Sequence, residues 1–415
     1  MSVVNQIRST FMSRYGLTDD ILHKGTITTS GTTYISADPA LPSVVKPVYV
    51  TINSVDEFKE FGGNPDHLYT SGVMQEHHNV ADDWPAAKTS LAYSELSPHE
   101  KAAICHAYTA YIYGNSQKVQ SYRDVIQKHY FPAQLAVLAA EDVVVKSGDQ
   151  LILSGDGDAP ITYSFNTITV EAGGQIINTG QATLLANVLT QQGGDSSTYT
   201  YVSLGTDAKD GAAGGNGGNG SSGTTGSSGS DGKDSCDTKP GQGGTGGTGN
   251  PGSPGGSGSR GSDAAPVNAT LDTVDGPVTL GSVGGNGGNG GTGGQGGTGG
   301  TGGPGGASTS HCSAGAQGKG GTGGDGGNGG TGGDGGSGQS VYFNYTTLVT
   351  GGSITVVTPE GKGQGGQGGK GGNAGNGGSG NPQGGGGHAG QAGVNGTNGK
   401  LGTVYVNNVP QPPSQ

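Results

Sequence analysis

Gly284 to Gly306 reads GGN GGN GGT GGQ GGT GGT GGP GG, a Gly-Gly-X triplet held without a slip. Two glycines in every three residues build no side-chain core, and glycine loses more freedom on ordering than any other residue. Such a stretch is either a disordered tether or a set of extended segments bonded through their backbones. The triplet returns from Gly320 to Gly336 and from Gly365 to Gly372, and in a looser form from Gly214 to Gly258. Strict phase and repeated re-entry into strand-like sequence favour the ordered form over a flexible linker.

Collagen needs glycine at every third position with proline-rich neighbours. Here two positions in three are glycine and proline is scarce, so polyglycine II is the better physical match. Each segment would be an extended threefold helix, rising about 3.1 Å per residue without internal hydrogen bonds. Its N–H and C=O groups point outward and can bond several neighbouring segments. Glycine is needed wherever a neighbour approaches, because a Cβ would hold the backbones apart. The X residues, mainly Asn, Thr, Gln, Asp, Ser and Lys, fall on one edge and are expected to face solvent.

The rest of the chain must hold the apolar core, because only 29% of the 415 residues are hydrophobic. Residues 1–133 read as a small α+β attachment or assembly domain. Val3, Val4, Ile7, Phe11, Met12 and Tyr15 make a helical stripe, and Thr26 to Tyr34 and Pro47 to Ile52 read as strands. Ser97-Pro98-His99-Glu100 opens a helix to Tyr113, and a further helix is expected from Gln117 to Tyr130. From residue 134 the period becomes two, so 134–204 is expected to form a β-sandwich or β-solenoid body. Strands near 266–280, 340–358 and 403–409 complete it. The glycine-rich insertions between them cover about 205–265, 281–339 and 359–402. The fold class is therefore mixed: an α+β N-terminal domain, a β-rich body and a polyglycine II bundle.

Each insertion must leave the body and return, which makes two antiparallel arms. The triplet phase breaks near each midpoint, at Ser230 to Pro240, Ala307 to Gly315 and Ser379 to Gly390. If the chain doubles back there, the three breaks lie at one distal end. Asp231, Lys233, Asp234, Asp237, Lys239, His311, Asn381, Gln383 and His388 would converge there as receptor-contacting residues, since loops on a rigid scaffold carry recognition. Cys236 and Cys312 would meet at the same end and are the disulfide candidate.

Charge and motifs exclude several functions. The net charge is −12 with no basic stripe, which argues against nucleic-acid binding. No apolar run reaches the roughly 18 residues that a membrane span needs. MSVVNQIRSTFMSRYG lacks a basic and then an apolar region, so synthesis in the cytosol without a signal peptide is expected. Glu76-His77-His78 with Asp82-Asp83 reads as a polar loop rather than a metal site. His99 and His106 lack zinc-protease spacing, and Cys105 beside His106 reads as a buried thiol. Asp156 and Asp158 read as a turn rather than a Ca²⁺ site. No glycine run has the strand, loop and helix setting of a phosphate loop. No metal, no cofactor and no catalytic site are expected, and the chain is read as non-enzymatic.

Residues 211–400 resemble the polyglycine II domains of T-even-type phage long-tail-fibre tip adhesins, on triplets such as 284–306. The snow flea antifreeze protein shares the pattern. The resemblance implies an adhesin or receptor-binding protein, virion-associated or extracellular. Its N-terminal domain would dock to a larger protein assembly while the bundle meets a cell-surface receptor, protein or glycan. A self-assembling subunit of a filament or matrix, with pairing into a homo-oligomer, is the alternative, and ice binding the third.

Overall fold

The computed structural model describes residues 2–74, 78, 82–155, 161–194, 198–357 and 362–412. Among the described residues, five α-helices lie near the N-terminus: α1 (Val3–Tyr15), α2 (Val55–Gly62), α3 (Asp66–Thr70), α4 (Pro98–Tyr113) and α5 (Arg123–Tyr130). Local chemistry sets their ends. The Ser2 hydroxyl accepts the Asn5 N–H, and Gly16 closes α1 at φ 61°. Ser97 and Glu100 form a reciprocal capping box at α4. The helix expected over Gln117 to Tyr130 is instead a 3₁₀ segment, Ser116–Tyr122, followed by α5. Val119 is buried there with non-helical dihedrals, φ −124° and ψ 25°, which break the expected helix at that point.

Two largely parallel sheets form the body. The strands, in chain order, are β1 (Leu22–Thr28), β2 (Thr32–Ser36), β3 (Val48–Ile52), β4 (Ala133–Val145), β5 (Gln150–Ser154), β6 (Ile161–Glu171), β7 (Gln175–Asn178), β8 (Ala182–Gln192) and β9 (Tyr201–Leu204). A short hairpin follows, β10 (Ser230–Asp231) and β11 (Cys236–Thr238). The body then resumes with β12 (Val267–Asp275), β13 (Pro277–Val283), β14 (Val341–Leu348), β15 (Ser353–Val356), β16 (Val404–Val406) and β17 (Val409–Gln411). One sheet runs β1-β4-β6-β8-β12-β14-β16-β17, with β3 also paired to β4, and the other runs β15-β13-β9-β7-β5-β2. From β4 to β15 the main strands alternate between the two sheets, so each coil adds one strand to each.

Strand alternation builds the core. Leu138, Tyr163, Leu184, Ala269 and Phe343 stand in register along neighbouring strands and point between the sheets. A second apolar cluster lies on the outer face of the larger sheet. It joins Phe11, Phe58, Trp84, Tyr111 and Ile126 from the helical region to Tyr342 and Tyr405 of the strands. β1 and β2 pair in parallel with β4 and β5, so the boundary drawn at residue 133 cuts through the sheets. The first 133 residues supply a coil of the body as well as the helical layer.

All three insertions leave from the same corner of the coil, after a strand of the smaller sheet and before a strand of the larger one. They form six extended arms with neither α nor β assignment: 205–229, 240–264, 284–306, 315–338, 363–380 and 384–402. Strand register runs on into the arms. Leu204 pairs with Val283, then the Gly205 N–H donates to the Val283 carbonyl, and the Ala208 N–H to the Asn286 carbonyl.

The arms stack in two layers, the odd-numbered in one and the even-numbered in the other. The third arm bonds four neighbours: Gly211 donates to Asn289 at 2.7 Å, Gly291 to Gly256 at 2.8 Å, Gly330 to Gly291 at 2.8 Å and Gly290 to Gln367 at 2.8 Å. The pattern repeats every third residue. Thr292, Gln295 and Thr298 face outward while Gly291, Gly294 and Gly297 are buried. Side chains at X satisfy further donors, as the Asn289 N–H donates to Asp210 Oδ1 at 2.6 Å and the Gln367 N–H to Asn289 Oδ1 at 2.9 Å. Asn and Asp at X thus link arms of the same layer.

Glycine content follows the number of neighbours. A Cβ on Gly291 in the third arm would lie 2.0 Å from the Ala212 carbonyl oxygen. A Cβ on Gly215 in the first arm would meet nothing nearer than the Ser253 Oγ at 4.0 Å. Flanking arms therefore need glycine at one position in three, and central arms at two. Gly291→Ala should destabilise the protein by about 1–3 kcal/mol through overpacking. Gly215→Ala should be neutral or stabilise it by about 0.4–1 kcal/mol. Equilibrium urea unfolding of the two variants tests the contrast, and equal losses would contradict it.

Candidate functional site

The far end of the arms is where the chain turns back, and the first two turns are joined there. β10 and β11 form an antiparallel hairpin, with Gly232 donating to the Ser235 carbonyl at 2.8 Å across its tip. The neighbouring turn, 307–314, holds itself by Thr309, whose N–H donates to the Cys312 carbonyl while its hydroxyl accepts the Cys312 N–H, both at 3.0 Å. A disulfide links Cys236 to Cys312, 76 residues apart in sequence.

Asp231 is the polar hub. Its Oδ1 accepts from the Thr309 hydroxyl, and from the His311 N–H at 3.1 Å. The Thr309 hydroxyl first, then the His311 and Ser310 N–H groups, hold its carboxyl below the ordinary aspartate range. Asp231, Cys236, His311 and Cys312 are thus brought together. Lys233, Asp234, Asp237 and Lys239 lie exposed on the hairpin, outside that hydrogen-bonded cluster.

The third turn is set back toward the body. The Asn381 N–H donates to the Gly318 carbonyl, and the Pro382 carbonyl accepts from Gly320, both at 3.0 Å, one to two triplets short of the turn at 307–314. Asn381 and Gln383 are exposed there. His388 lies within the sixth arm, where its N–H donates to Asp325 Oδ1 at 2.7 Å and its Nδ1 stands 3.1 Å from the same oxygen. The His388 N–H, then its ring, lower the Asp325 pKa. His388 therefore links two arms of the same layer, the sixth and the fourth; the register of the sixth arm, two triplets below its turn, keeps it from the tip.

The other residues singled out by sequence are scattered. Glu76, His77, Asp156 and Asp158 lie outside the described residues. His78 Nε2 sits 2.9 Å from the Tyr113 carbonyl. Asp83 accepts from the Ser121 hydroxyl at 3.0 Å. Cys105 is an exposed thiol 3.4 Å from the Tyr130 hydroxyl, which corrects its reading as buried; its place on α4 points it away from the core that Ile104 enters. No group of three or more metal-ligating side chains occurs among the described residues, and no helix there is long and apolar enough to cross a membrane.

Sequence reasoning missed Thr309. The signal was a hydroxyl residue three positions before Cys312 in an otherwise glycine-poor break, a spacing that suits a local side-chain-to-backbone turn.

No family model and no curated protein matches the chain. A solved structure that is similar in part is the springtail antifreeze protein from Granisotoma rainieri, described as a nine polyproline type II helical bundle. It is 25% identical, covers 46% of this chain and 93% of its own, and has a TM-score of 0.10. At that score the likeness bears on neither fold nor function.

The Asp231 pKa is depressed in the folded state. Its stabilising contacts are therefore complete above the unfolded aspartate value of about 3.9 and are lost as pH falls through the lower folded value. An NMR titration should show the Thr309 and His311 amides shifting only below pH of about 4; unchanged shifts to full protonation would refute the hub. Cys236→Ser should cost about 2–4 kcal/mol. It should speed amide exchange at 230–238 and 307–314 while the glycine arms stay protected, which hydrogen-exchange mass spectrometry can resolve.

Proposed function

We propose that the chain is a non-enzymatic adhesin or receptor-binding protein. The observation that carries this reading is the joining of two turns at the far end of a stem held mainly by backbone hydrogen bonds. In this reading the body is a β-solenoid and the six arms are a polyglycine II bundle. The helical N-terminal region docks the protein to a larger particle, and the distal turns meet a cell-surface protein or glycan. The protein works outside the cell or on a virion.

Two features support it. The distal residues Lys233, Asp234, Asp237, Lys239 and His311 are exposed, while the disulfide and Asp231 fix the loops that bear them. A stem bonded through its backbone also tolerates change at the tip, because no core residue reaches there.

The edges of the bundle weigh against the filament alternative. A further arm beside the first would need glycine where Lys209, Ser221, Thr224 and Ser227 stand. One beside the sixth would meet Asn395, Asn398 and Leu401. Asn398 and Asn395 also occupy the outward N–H groups of Gly365 and Gly368, at 2.9 and 2.8 Å. These side chains oppose sideways growth, as edge devices do in β-sheets. The outward X residues mix Asp, Lys, Gln, Thr and His, which gives no uniform face for ice.

Binding of the purified protein to intact host cells tests the proposal. Replacing 231–239 and 308–313 with Gly-Ser turns, while keeping Cys236 and Cys312, should abolish binding and leave the melting temperature within a few degrees. Undiminished adhesion by that variant would exclude the distal turns as the contact.

A further inference from the structure

A second concave site lies on the body, on the outer face of the larger sheet, and none of the distal residues takes part in it. Strand alternation sends Leu271 and Phe343 into the core and leaves Asn268, Thr270 and Asn344 on the outer face. α1 and the end of α2 cover part of that face. Between them and the β16–β17 turn remains a groove of about 510 Å³. That volume falls in the range of small-ligand sites, about 300–1,000 Å³.

Three asparagines from separate elements line this groove, and each keeps a buried acceptor without a partner. Asn268 is only 6% exposed, and its Nδ2 donates to the Gly62 and Gly63 carbonyls, each at 3.3 Å. Those two carbonyls fix the orientation of the amide, since a flip would set oxygen against oxygen. Its Oδ1 has no hydrogen-bond partner, and neither have the buried Oδ1 atoms of Asn344 and Asn408. Asn407, next to Asn408, is occupied by contrast: its Oδ1 accepts the Tyr345 N–H at 2.8 Å. An unsatisfied buried acceptor costs about 1–3 kcal/mol, so three around one groove call for donors from outside.

The remaining lining narrows the chemistry. Among the described lining residues Glu60 is the sole acidic or basic side chain, and Arg14 holds both its oxygens, at 2.8 and 3.0 Å. The opposite wall is apolar, from Ile7, Phe61 and Val73. The groove therefore suits an uncharged molecule with several O–H or N–H donors on one side and C–H groups on the other. Asn344 and Asn408 are only half-buried, so rotation about χ2 can bring their oxygens to such a ligand.

We propose that this groove binds a neutral saccharide, one or two rings in size, with its hydroxyls on Asn344 and Asn408 and a C–H face against the apolar wall. The site is independent of the distal-turn reading and adds a glycan contact on the body.

Isothermal titration of the full chain with neutral sugars tests it: glucose, galactose, mannose, N-acetylglucosamine, N-acetylgalactosamine and their common disaccharides. At least one should bind saturably. Asn408→Gly keeps the left-handed turn, where Asn408 has φ 68°. Asn408→Gly and Asn344→Ala should each weaken that binding about five- to tenfold, the loss of one hydrogen bond. Both variants should keep the wild-type circular dichroism spectrum and melting temperature. The distal-turn replacement should bind the sugar with wild-type affinity, which separates this site from adhesion at the tip. Absence of saturable binding by every sugar overturns the proposal, and so does binding that both folded asparagine variants leave unchanged.

Discussion

The structure depends on backbones lying close enough to hydrogen-bond sideways in several directions at once. An extended segment leaves all its N–H and C=O groups unpaired along its own length. They are paired here by neighbouring arms, and that is possible only where no Cβ intervenes. Gly291 and Gly290 make the point: a methyl group on either would sit 2.0 Å from a carbonyl oxygen, of Ala212 and Gly330 respectively. Each bond nets only about 1 kcal/mol, so cohesion comes from regular repetition over whole arms.

Regular repetition needs a common origin, and the body provides it. Every insertion starts at the same corner of a coil whose strands are already in parallel register. The step from Leu204–Val283 in the sheet to Gly205–Val283 and Ala208–Asn286 in the arms carries that register outward without a break. The apolar core between the sheets thus aligns polar segments that have no core of their own. At the far end the Cys236–Cys312 link and Asp231 hold two turns together, so the first four arms are tied at both ends. The exposed loops lie at the tip of this arrangement, and the asparagine-lined groove lies on the body where the helical layer meets the sheet.

Much of this was legible in the chain. Triplet phase marked the arms, its midpoint breaks marked the turns, and alternating Val, Ile and Leu marked the strands. The capping residues Ser97 and Glu100 marked α4. Ser54 opens α2 without having been singled out in the sequence, its Oγ accepting the Glu57 N–H at 3.1 Å. What was not legible depended on partners remote in sequence. Val119 takes non-helical dihedrals in the middle of the expected helix, where it packs into the core of the helical layer. His388 joins Asp325 rather than the tip because of arm register. Asn268, Asn344 and Asn408 share a groove only because three separate elements meet.

The order of residues by itself determined where the chain is extended, where it turns and which stretches lack side chains. Those properties follow from local dihedral freedom and from period. The tertiary structure alone decided which arms are central and which lie at the edge, and so why 284–306 is strict while 205–229 is loose. The reason is that a glycine's necessity is set by the neighbour opposite it. That neighbour lies tens of residues away along the chain and a few ångströms away in space.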